Sequence, residues 1–66
     1  MGSQKIGEKL REARERADLT QAQVAGKVGI DTNYYARVER DEVYPAIDTL
    51  KEIMKVLKIK SMEISN

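Results

Sequence analysis

Cysteine and histidine are both missing from this 66-residue sequence, and each absence removes a class of chemistry. Without Cys there is no disulfide framework, no thiol nucleophile and no thiolate metal site. Without His, the usual general base and the commonest metal ligand are gone. Proline occurs once, at Pro45. No apolar run approaches the ~20 residues of a membrane helix, and no signal peptide is visible. The opening MGSQKI begins like a myristoylation signal, but Ile6 stands where Ser or Thr is required. Residues 1–3 read equally well as a cloning remnant. No paired-carboxylate pocket, phosphate loop or nucleotide-binding glycine motif is present. The expectation is a cytoplasmic, non-enzymatic chain that uses no metal or cofactor and no membrane.

An excess of charge of one sign is missing too. Twelve Lys plus Arg stand against eleven Asp plus Glu, a net charge of +1. Met1–Leu19 carries five bases and four acids, Thr20–Pro45 three and four, and Ala46–Asn66 four and three. A basic domain would have been an electrostatic footprint for nucleic acid. Here any such binding must rest on a few well-placed contacts. The length allows one domain, 1–66, with a small core.

What is present is helical periodicity. SQKIGEKLREARERA puts Ile6, Leu10, Ala13 and Ala17 at helical spacing with charge on the other face. Those charges read as a solvated surface with some i,i+4 support. Thr20 with Gln23 three residues later is a capping box that opens a second helix. Val24, Ala25 and Val28 form its inner side, and Gly29 is suited to the left-handed residue that closes it. Gly26, inside that helix, costs roughly 1 kcal/mol relative to Ala, and the only reason visible in the sequence is close packing against a neighbour. Asp31 is the expected N-cap of a third helix. Beyond Pro45, Ile47, Leu50, Ile53, Met54 and Leu57 give a fourth helix a broad apolar face. Ser61 is suited to cap a short fifth containing Met62 and Ile64, and the chain ends just where it would be starting, as if truncated.

Two short helices joined by a tight glycine turn make a helix-turn-helix. Val24, Val28, Tyr35 and Val38 would hold the pair together, with Ala25 small at the closest approach and Gly29 in the turn. In this pattern LTQAQVA, the Gly29 turn and VER…YPAIDTLKEIMKVLKI resemble the phage repressor/Cro type of helix-turn-helix domain, the xenobiotic-response-element-like regulators. The resemblance runs from about Ile6 to Ile64. It implies an all-α bundle of four to five helices with the helix-turn-helix at helices 2 and 3, and a repressor or other regulator of transcription. The family often has Gly where this chain has Asp18 and Asp41.

On a helical wheel at about 100° per residue, with Thr32 at zero, Ala36, Arg40, Asn33 and Arg37 fall between roughly 40° and 140°. Asp31, Tyr35 and Val38 cluster on the other side. Asn33 can bond adenine in two places and Arg37 can do so to guanine. Thr32 can bond a base or touch a thymine methyl, and Ala36 is small enough to let a helix sink into the major groove. The resemblance places base reading at Thr32, Asn33 and Arg37. Phosphate contacts are expected from Gln21 at a helix start, Tyr34, Arg40 and Lys27. Tyr34 reads alternatively as a half-buried aromatic. The resemblance also implies an ion pair between Arg14 and Glu39 that orients the reading helix.

The expected partner is double-stranded DNA, in a palindromic operator bound by a homodimer. Met54, Val56 and Tyr44 read either as a contact patch or as the completion of a small core. The rival reading is a protein-interaction module on the same scaffold, like some antitoxins and bridging factors. The acid-rich middle segment favours it, because a fold can outlast its site.

Overall fold

The computed structural model describes residues 6–59 of the chain. These residues form four α-helices and no strand: α1 (Ile6–Arg16), α2 (Gln21–Val28), α3 (Thr32–Glu39) and α4 (Ile47–Val56). The all-α architecture is as expected, and the fifth helix expected from Ser61 lies outside the described residues. No helix among the described residues is long and apolar enough to cross a membrane.

Local chemistry sets the helix starts. The Gln23 amide donates to Thr20 Oγ1 at 3.0 Å, and the Thr20 amide donates to Gln23 Oε1 at 2.8 Å, completing the capping box of α2. At α3, the Tyr34 amide donates to Asp31 Oδ2 at 3.2 Å. Gly29 closes α2 with φ 88°, its amide donating to the Ala25 carbonyl at 2.8 Å. The other three helices end on residues with side chains in the same left-handed region: Asp18 at φ 64°, Asp41 at 61° and Lys58 at 60°. In each case the next residue donates its amide back across the last turn, Leu19 to Arg14, Glu42 to Arg37 and Ile59 to Met54. This is the Schellman closure, and it satisfies helix-end carbonyls without glycine.

The helices meet as α1 on α3, α2 on α3 and α2 on α4. Ile6, Leu10, Val24, Ala25, Tyr35, Val38, Leu50, Ile53 and Leu57 form the buried core. Met54 and Val56 are half-buried against it, and Tyr44 stays 70% exposed. Ile47 does not join the face expected of it and stays 62% exposed. It lies in the first turn of α4, at the edge of the apolar stripe, and Ala17 at the end of α1 is exposed as well.

The glycines reverse the sequence expectation. A Cβ on Gly26 would meet nothing within 4 Å, so close packing does not explain it. A Cβ on Gly7 would stand 2.3 Å from the Val38 carbonyl oxygen and 2.5 Å from that of Glu39. Glycine at position 7 is what lets the start of α1 lie directly on the end of α3.

Candidate nucleic-acid interface

Burying Tyr35, Val38 and Glu39 fixes which way α3 faces. Thr32, Asn33, Arg37 and Arg40 are exposed on it, while Ala36 and Tyr34 are half-buried, Tyr34 against the core. The polar edge therefore rides on an anchored helix. Its residue types present a hydroxyl, an amide and guanidinium groups to the outside.

The anchor is partly ionic. Arg14 donates from Nε to Glu39 Oε2 at 2.6 Å and from Nη2 to Oε1 at 3.1 Å, and its Nη1 reaches the Leu19 carbonyl at 2.9 Å. Gln21 Nε2 adds a third bond to Glu39, at 2.9 Å to Oε1. One carboxylate thus joins α1, the start of α2 and the end of α3. Glu39 is only 5% exposed. Burial alone would raise its pKa, but the bonds from Arg14 and Gln21 prevail and hold it below the ordinary carboxylate value. The Tyr35 hydroxyl, buried nearby, has no hydrogen-bond partner of good geometry. Burial first, and then the Glu39 carboxylate, push its ionisation far above the ordinary phenol value.

Gln21, expected to donate to phosphate, thus spends one amide N–H on Glu39. It still lines, with Glu8, Arg11, Glu39, Arg40 and Asp41, a cleft of about 430 Å³ where α1, α2 and α3 meet. Lys27 lies elsewhere, on a groove shared with Ala17, Leu19, Val56, Leu57 and Lys58. The structure brings Gln21 and Arg40 to one cleft and places Lys27 in another.

Two features of this surface have no counterpart in the sequence reading. The Gly7 amide donates to Asp41 Oδ1 at 2.9 Å, so Asp41 closes α3 with its backbone and serves the first turn of α1 with its side chain. Glu42 accepts from Arg40 Nε at 2.8 Å and Nη2 at 3.3 Å, and lies 3.5 Å from Arg37 Nε. Arg40 first, then Arg37, hold the Glu42 carboxyl below its ordinary value. Helical spacing could not reveal this contact, because the chain reverses at Asp41 and leaves the wheel. Among the described residues there is no cluster of His, Cys, Asp or Glu able to hold a metal ion.

A sequence model of the helix-turn-helix family matches residues 10–64. The immunity repressor protein of Bacillus phage phi105 is 33% identical over 55 residues, covering 83% of this chain and 38% of that protein. The HTH-type transcriptional regulator ImmR of Bacillus subtilis (strain 168) is 34% identical over 56 residues, covering 85% of this chain and 44% of that regulator. The chain therefore spans less than half the length of either relative. No solved structure matches it significantly.

Proposed function

The chain belongs to the helix-turn-helix family, and from that premise we propose that it binds double-stranded DNA in the major groove and regulates transcription; one similar protein is named a repressor and another a transcriptional regulator. The observation that carries the reading is the exposed edge of α3. Thr32, Asn33 and Arg37 stand on the side away from Tyr35 and Val38, where their hydrogen-bonding groups can meet base edges. Ala36 lies between them and lets the helix approach.

Gln21 and Arg40 flank that edge and serve the phosphates, with Tyr34 and Lys27 as further donors. Arg14 and Glu39 orient α3 against α1. Two copies bind a palindromic operator, with their reading helices about one helical turn, ~34 Å, apart. A rival reading, in which the scaffold serves a protein partner, draws support from Tyr44 and Ile47, large apolar side chains 70% and 62% exposed on either side of Pro45.

The test is selection from a random duplex pool at low and near-physiological salt, with Thr32→Ala/Asn33→Ala/Arg37→Ala alongside. An inverted repeat that is enriched by the parent chain and lost by the variant supports a dimeric reader. A single half-site means that DNA is read by one copy. No enrichment even at low salt overturns DNA reading and favours the protein partner.

A further inference from the structure

Glu42 sits at a decisive place on the α3 surface. Its backbone is pinned there, since its amide donates to the Arg37 carbonyl at 2.9 Å across the left-handed Asp41. Its carboxylate then reaches both arginines of the outward edge. The two contacts differ in quality. Arg40 is held through two nitrogens, at 2.8 and 3.3 Å. Arg37 has a single longer approach of 3.5 Å.

A guanidinium whose Nε–Nη2 edge already meets a carboxylate has given up one of the two edges with which it could grip a phosphate, and part of its charge is already answered. To grip a phosphate through that edge Arg40 must leave Glu42, and a phosphate taken on the other edge still lies close to the Glu42 carboxylate, so either route is opposed. Arg37 gives up less when it turns to a base. The restraint therefore falls more heavily on the sequence-blind contact than on the sequence-reading one.

We propose that Glu42 is a specificity-determining residue, an internal stand-in for phosphate that holds back Arg40 more than Arg37 and so lowers binding to non-operator DNA. This rests on the DNA-reading function proposed above. All three side chains are about half exposed, so the effect is a graded shift in affinity and not an on–off switch. It gives one acid of this near-neutral chain a role: two of the cations on the α3 surface, Arg40 above all, are kept from indiscriminate phosphate binding.

The experiment compares the parent, Glu42→Gln and Glu12→Gln. Glu12 is exposed on α1, so its substitution makes the same charge change on a different helix. Each protein is titrated against a mixed-sequence duplex and the selected operator from 50 to 200 mM salt, after circular dichroism has shown equal helix content. Glu42→Gln is expected to tighten mixed-sequence binding on the order of three- to tenfold at low salt. That gain shrinks roughly three- to fourfold per freed arginine across the salt range, because each phosphate contact releases about 0.9 counterion. The operator-to-mixed affinity ratio falls for Glu42→Gln and stays at the parent value for Glu12→Gln.

If the parent selects an operator but Glu42→Gln leaves the ratio unchanged, matches Glu12→Gln or weakens both complexes, the Glu42 proposal is overturned and DNA reading stands. If neither the parent nor Glu42→Gln binds any duplex at 50 mM salt, DNA reading itself fails and the proposal fails with it.

Discussion

The Gly7 amide and the Asp41 carboxylate meet at 2.9 Å although 34 positions separate them in the chain. Asp41 carries a left-handed backbone at φ 61°, a conformation that ordinarily favours glycine. Its side chain returns something glycine cannot, a hydrogen-bond acceptor for the first turn of α1. Asp41→Gly should therefore gain little stability or lose some, and Asp41→Ala should lose about 1–2 kcal/mol, combining backbone strain with a lost cap. At Lys58, likewise left-handed at φ 60°, a change to Gly should stabilise by about 0.5–1 kcal/mol. Urea unfolding midpoints check the contrast; a clear gain from Asp41→Gly would contradict the capping role.

Gly7 and Gly26 should answer opposite ways to the same substitution. Gly7→Ala drives a methyl into the Val38 and Glu39 carbonyl oxygens, both backbone atoms that cannot swing aside. A loss of about 3 kcal/mol or more is expected, at or above the upper range for overpacking. Gly26→Ala enters open space in mid-helix and should stabilise by up to about 1 kcal/mol. Thermal melts of the two variants decide the matter within one experiment.

The Arg14–Glu39 pair should separate stability from recognition. Glu39→Leu leaves Arg14 and Gln21 facing an apolar side chain in a nearly closed site, at a cost of about 3 kcal/mol, a large part of what so small a domain possesses. Arg14→Met/Glu39→Leu should recover much of that loss, since apolar pairs often replace buried ion pairs without penalty. If the pair orients α3, the double variant will melt near the parent and yet bind the operator at least tenfold more weakly. Parent-like operator binding by a stable double variant would rule the orienting role out.

Acid should probe the same site. The Glu39 pKa is lowered in the folded chain relative to its ordinary value of 4.5, so the unfolded chain binds the proton more readily. The stability it contributes is complete above about pH 4.5 and drains away as pH falls toward the lower folded value. Denaturant midpoints measured from pH 7 down to 3 should fall more steeply for the parent below pH 4.5 than for Glu39→Gln. Equal slopes would mean that folding does not lower the Glu39 pKa.

Capping chemistry acts within one turn of backbone, and so it could be read without a fold. Thr20 and Gln23, Gly29 and Asp31 all do locally what their types and spacing predict. The same holds for the orientation of α3, because Tyr35 and Val38 are apolar at helical spacing and only one face can be buried. The ion pair of Arg14 and Glu39, 25 positions apart, follows from the family resemblance alone, since no rule of spacing connects them.

What the sequence by itself determined is therefore the four helices of the described residues, the caps at Thr20, Gly29 and Asp31, and most of the face each helix offers to the core. All of these are settled by interactions among residues at most four positions apart. Only the tertiary structure decided which glycine is indispensable, that Ile47 stays outside the core, that Gln21 turns inward to Glu39, and that Asp41 serves α1 as well as α3. It also decided that one acid past the end of α3 holds both of that helix's arginines. These depend on where separate helices come to rest against one another, and that is fixed by the packing of the whole core, which no local pattern encodes.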